Sequence, residues 1–140
     1  MSTPAEHLSA LMLTHTGTSG WARKIGESPK TPDRIMVFSD TGGPPPNPRY
    51  ALDFPTVQAS IRGVKGAGYA AARAEAKAVK DILLGITSQT MANGDRLVSV
   101  TLNSDIAYIG RDENERPLFT VNFALIIEPV VVANMSRVAL

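Results

Sequence analysis

The sequence predicts an α+β fold, an antiparallel-rich sheet of four to five strands covered by a long helix over about residues 68–85 and a short N-terminal helix over about residues 4–13. Three stretches carry that prediction. Thr56–Arg62 places Val57, Ala59 and Ile61 on one face and Gln58, Ser60 and Arg62 on the other, the period of a half-buried strand. Leu118–Ile127 alternates as strictly, Phe119, Val121, Phe123, Leu125 and Ile127 against Thr120, Asn122, Ala124 and Ile126. Between them the period changes: Tyr69, Ala72, Ala76, Val79, Leu83 and Ile86 recur at steps of three and four and form one helical stripe. The stripe is rich in alanine, so the helix can approach a sheet closely, and Gly85 supplies a natural stop.

Taken in order, Thr3-Pro-Ala-Glu6 is a helix start, with threonine as the cap, proline at the first helical position and glutamate able to close a capping box. Leu8, Leu11, Met12 and His15 give that helix an apolar edge, and Thr16–Gly20 ends it. Residues 21–33 read as irregular, with Gly26, Pro29 and Pro32. Arg34–Phe38 reads as a strand that is apolar on both faces, hence central or covered. Residues 39–55 contain Thr41-Gly-Gly-Pro-Pro-Pro-Asn-Pro48, a loop stiffened in polyproline II geometry. After the main helix, Asn93-Gly94 marks a tight turn, Arg96–Leu102 is a strand and Ile106–Ile109 is a separate short one. Residues 110–117 form a hairpin tip before the last strand, and Glu128 and Pro129 close the sheet. Two features fit poorly with a solitary subunit. The loops at 15–33 and 39–55 exceed the ~12–15 residues beyond which structureless connections are uncommon. The apolar tail 128–140 has no evident partner inside the domain. Both make sense if the segments lie on neighbouring chains; the alternative is ordinary flexible loops and a tail folded onto its own sheet.

Composition limits the function classes. The 140 residues suit one domain, long enough to bury roughly two-thirds of its unfolded surface. There is no cysteine, hence no disulfide framework and no thiolate metal site. A net charge of +1 offers no global attraction for nucleic acid or anionic membrane. No apolar run reaches the ~20 residues of a membrane helix, and the N-terminus lacks the pattern of a secretory signal. Charge is uneven locally. Arg62, Lys65, Arg73, Lys77 and Lys80 outweigh Glu75 and Asp81, whereas Asp105, Asp112, Glu113 and Glu115 outweigh Arg111. These are either two solvated surfaces or two halves of a head-to-tail contact between identical subunits.

Reaction chemistry is sparse. Gly63-Val-Lys-Gly-Ala-Gly68 lies between a strand and a helix, where phosphate-binding loops sit. Its glycines are spaced G-x-x-G-x-G, however, and no Gly-Lys-Ser/Thr follows, so a chain-reversing bend is the expectation and nucleotide binding the alternative. His7 and His15 have no ligand set around them and are expected at a surface or helix end. The Asp112-Glu-Asn-Glu115 run lacks calcium-loop spacing. No nucleophile elbow occurs. No enzymatic activity, cofactor or metal is therefore expected. What survives is an interaction surface.

Several runs, taken together and in order, resemble the minor capsid or tail terminator family of tailed phages: Asp40-Thr-Gly-Gly43, Pro55–Gly63, Gly110–Pro117, then Phe119 and Asn122-Phe123. The resemblance covers about residues 34–128. It implies a small α+β virion protein of the tail–neck region, assembled in the host cytoplasm into a six-fold ring. That ring would cap the tail tube, meet the tail tube protein on one face and the head-closure or connector protein on the other, and pass genomic DNA through non-specific lumen contacts, with no membrane partner. Another neck component, for head closure or tail completion, is the alternative within this class. The residues expected at subunit or partner contacts are Arg62, Lys65, Arg73, Lys77 and Lys80, Gly42, Gly43, Pro45 and Pro46 of the proline loop, and Arg111, Asp112, Glu113 and Glu115 of the hairpin tip.

Overall fold

A computed structural model describes residues 3–12, 21–45 and 52–129. The expectations for His15, residues 16–20, Pro46 to Pro48 and the tail from 130 lie outside the described residues. Helix α1 (Pro4–Met12) is followed by β1 (Ala22–Ile25), β2 (Ile35–Asp40), β3 (Thr56–Arg62), α2 (Tyr69–Leu84), β4 (Gln89–Thr90), β5 (Arg96–Arg111) and β6 (Pro117–Glu128).

The six strands form one sheet in the order β1-β2-β3-β6-β5-β4, where four to five strands were expected. Only β1 and β2 pair in parallel, and the other four neighbouring pairs are antiparallel. The extra strands are short. Residues 22–25 were expected to be irregular and instead form an edge strand, paired Ala22 to Ile35 through Ile25 to Phe38. Gln89 and Thr90 add two residues at the opposite edge, against Leu97 and Arg96. The two segments read as separate strands, 96–102 and 106–109, are one strand. The break in pattern at Asn103–Asp105 is a set of register shifts against β6, between Leu102 and Ser104 and between Ser104 and Ala107. Such shifts bend a strand without ending it.

Both helices cover the same face of the sheet. Leu8 and Met12 of α1 and Ala72, Ala76, Val79 and Leu83 of α2 share one buried cluster with Met36, Phe38, Ala59, Ile61, Phe119, Val121 and Phe123. The expected stripe of α2 is thus the packed one, over 16 residues that begin and end within a residue of the expected bounds. The capping box of α1 forms as its sequence implies, Glu6 N–H donating to Thr3 Oγ1 and Thr3 N–H to Glu6 Oε1, each at 3.2 Å. Asp40, at the end of β2, accepts from Ala5 N–H at 2.9 Å and so fixes the helix N-terminus to the sheet.

Candidate functional site

Two backbone donors of the glycine corner between β3 and α2 are already engaged. Gly63 N–H donates to Pro117 O at 3.0 Å and Gly66 N–H to Glu115 O at 3.3 Å, so these donors are spent on the β5–β6 hairpin. Gly63 is glycine because a Cβ there would stand 2.7 Å from Gly68 O and 3.0 Å from the Ala72 side chain. The corner is a tight crossing of chain segments. Among the described residues, no group of His, Asp and Glu side chains could hold a metal ion, and no helix is long and apolar enough to cross a membrane.

Arg62 corrects the expected basic patch. It is 3% exposed. Its Nε donates to Asp33 O at 3.0 Å, its Nη2 to Pro32 O at 2.6 Å and its Nη1 to Ser28 Oγ at 3.2 Å. Arg116, which sequence reasoning did not single out, is its companion: also buried, it donates to Lys30 O and contacts Asp33 Oδ1 at 3.2 Å and Asp112 Oδ2 at 2.9 Å. Two like charges are brought together here, and burial together with Arg116 lowers the proton affinity of Arg62, against the opposing pull of Asp112 and Asp33. The pair ties residues 28–33 to the hairpin tip of their own chain. This part of the expected long loop therefore does not reach out to a neighbour.

The hairpin tip is a built turn. Asp112 Oδ1 accepts from the N–H groups of Asn114 and Arg116, each at 3.0 Å. Partial burial opposes ionisation of this carboxyl, but the bonds from Arg116 and Asn114 outweigh it and hold it below the usual carboxylate range. Arg111 donates to Glu115 O at 2.7 Å, while Glu113 and Glu115 are exposed.

Charges expected to meet across subunits meet partly within one. Lys80 Nζ lies 3.0 Å from Asp105 Oδ1, and Lys77 pairs with Asp81 one helical turn on. The Ile106 N–H, then Lys80 and Arg73, hold Asp105 below its ordinary value. Lys65, Arg73 and Lys77 remain exposed on the helix side of the molecule. In the loop after β2, Gly42, Gly43 and Pro45 are exposed, but its base is closed: Thr41 N–H bonds Thr56 O and Thr56 N–H bonds Gly42 O, both at 3.0 Å. Gly43, at φ +115°, takes a conformation open to glycine, and a Cβ there would strike Phe54 O.

Two further residues depart from expectation. His7, expected at a surface, is buried with Nε2 3.2 Å from Gln89 Oε1. Burial lowers its proton affinity more than that bond raises it. Glu75, off the apolar stripe, is 7% exposed; its Oε1 has no hydrogen-bond partner among the described residues, and burial raises its proton affinity.

The other face of the sheet differs from the packed one. By register, Gln58, Ser60, Asn122, Ser104, Thr101 and Ala124 lie together in its middle without charge, while Lys24, Arg62 and Glu128 share that face at its margins. At the margin of the helix side, Tyr69 of α2 and Tyr108 of β5 meet edge-on with ring centroids 5.0 Å apart, and both contact Phe119. Each is 45% exposed, and neighbouring Ile109 is 57% exposed.

The profile of a family described as bacteriophage tail terminator protein matches residues 7–129. A chain from the virion of a native gene transfer agent particle has the same fold: TM-score 0.70 at 16% identity, over 89% of this chain and 94% of that one. No curated protein matches the chain. With most of its length matched by that profile, the chain belongs to the bacteriophage tail terminator family, as a structural component of the virion's tail region.

Proposed function

We propose that the protein ends tail growth by assembling into a closed ring, six-fold as the resemblance implied, that sits on the last ring of the tail tube and presents a docking face to the head's connector. The observation that carries this reading is the family match over residues 7–129, on a fold whose glycine corner is consumed by its own backbone contacts. Uneven exposed charge adds support. Arg73 and Lys77 stand exposed on α2 and Glu113 at the hairpin tip, an arrangement suited to heterologous contact between copies.

In this reading α2 packs outside and the opposite sheet face, uncharged in its middle at Gln58, Ser60, Asn122 and Thr101, turns toward the lumen. Neutral hydroxyls and amides would let DNA slide, whereas a lysine- or arginine-lined wall would retain the phosphates. The exposed Gly42–Pro45 turn and the 112–115 tip are the segments placed to reach adjacent rings, and proline lowers the ordering cost of such contacts. Co-sedimentation of the purified protein with purified tail tubes tests the reading. Saturable binding at about six copies per tube end is expected; binding along the whole tube, or none, would contradict it.

A further inference from the structure

Among the described residues, the sheet has two open edges. The outer edge of β1 is unpaired over its whole length, and β4 covers β5 only at Arg96 and Leu97. Open edges of this kind template further pairing unless they are blocked. Large exposed hydrophobics gather on both: of five among the described residues, Ile25 lies on β1, Tyr108 and Ile109 lie on β5, and Tyr69 stacks on Tyr108. β1 carries Arg23 and Lys24, whereas the open part of β5 carries Asp105 and, at its end, Arg111, with Glu113 and Glu115 on the tip beyond.

Register brings the two edges level. Lys24 pairs with Val37, Val37 with Ser60, Ser60 with Thr120, and Thr120 with Ala107. The row through Arg23 likewise ends at Tyr108, and the row through Ala22 at Gly110. Thus β4 occupies one end of β5's edge, at Arg96 and Leu97, and the rows through Ala22, Arg23 and Lys24 reach Gly110, Tyr108 and Ala107 on the stretch left open. The directions also agree: β1 runs parallel to β2, and three antiparallel steps separate β2 from β5, so β1 and β5 run oppositely. A sheet continued from β5 of one copy to β1 of the next is therefore antiparallel. The register shifts of β5 bend this edge, which suits a neighbour meeting it at an angle, as in a closed ring, better than flat open-ended stacking.

We propose that β1 of one copy pairs with residues 105–110 of β5 in the next copy, joining the sheets of the ring edge to edge; this rests on the ring reading above. With Lys24 set against Ala107, Arg23 lies against Tyr108, and Lys24 is the diagonal neighbour of Asp105, whose carboxylate already meets Lys80 yet is 65% exposed and able to take a second cation. Ile25, Tyr108 and Ile109 become covered.

The chain has no cysteine, so an introduced pair reports without background. Lys24→Cys with Ala107→Cys places thiols about 19 Å apart within one chain, across four strand spacings of about 4.8 Å. That exceeds the ~7 Å limit for a disulfide, so any bond formed joins two copies. Mild oxidation in the presence of tail tubes is expected to give a ladder of covalent multimers on a non-reducing gel, with each single-cysteine variant stopping at dimers or below. In the same assay Arg23→Glu with Lys24→Glu, which removes both cations of β1 and sets a like charge diagonal to Asp105, is expected to cut the assembled fraction at least tenfold with the thermal midpoint unchanged. A ring of wild-type mass without cross-links, together with assembly unaffected by the glutamate substitutions, would overturn the edge pairing and leave the ring reading standing. A wild-type chain that stays a single copy on tubes would overturn both.

Discussion

Arg116 Nη1 stands 3.2 Å from Asp33 Oδ1, joining the β5–β6 hairpin tip to the segment before β2. With Arg62 beside it, this contact converts an apparent free loop into part of the subunit's own body. Under the proposed ring reading, the strand edges, the 42–45 turn and the tip itself are what is left for contacts with neighbours.

Removing that joint should be costly. Arg116→Ala deletes bonds to Lys30 O, Asp33 and Asp112, and Arg62→Ala leaves the carbonyls of Pro32 and Asp33 without their donor. Each is expected to lower stability by about 2–3 kcal/mol, the scale of hydrogen bonds from a charged donor. Urea denaturation measures it, and a loss below about 0.5 kcal/mol would show that the joint is incidental.

The glycine corner gives a steric prediction. Gly63→Ala drives a Cβ into Gly68 O and the Ala72 side chain, and overpacking of this kind costs about 1–3 kcal/mol. Gly66 has open space around it and φ +79°, so Gly66→Ala should cost about 1 kcal/mol through backbone conformation alone. Equal effects at the two sites would contradict the packing described.

His7 should make the fold sensitive to acid. Its proton affinity is lowered in the folded state by burial, so its contribution to stability is present above the ordinary histidine value and is lost as pH falls through it. Thermal midpoints taken between pH 7.5 and pH 5 should fall more steeply for the wild type than for His7→Gln. Parallel curves would assign the acid sensitivity elsewhere.

Glu75 acts in the opposite sense. Burial raises its proton affinity, so its contribution is present below the ordinary glutamate value and is lost as pH rises through the folded-state value. Glu75→Gln is expected to be more stable than the wild type at pH 8 and to lose that advantage near pH 4. An advantage independent of pH would mean that the charge is not the cause.

Local pattern made much of the fold legible. The alternation of 56–62 and 118–127, the alanine stripe of α2 and the Thr3–Glu6 box each encode their element within a few residues, and each is where its pattern places it. The misses share a different cause. Ala22–Ile25 is a strand because β2 offers it an edge, and its own residues, two of them cationic, do not announce it. Nor does a pattern of residues reveal that Arg62 turns inward to distant carbonyls, that His7 meets Gln89, or that Lys80 finds Asp105 in its own chain. All three depend on contacts between segments far apart in sequence. The candidate surface was legible in the same measure: the hairpin tip and the exposed lysines were visible, whereas the level match of β1 with β5 emerges only from the order of the strands.

Negative-stain imaging of purified tail tubes incubated with the purified protein tests the central claim most directly. The account predicts a closed six-fold ring seated at one end of each tube. Tube ends left bare, with the protein remaining as single copies in solution, would contradict it.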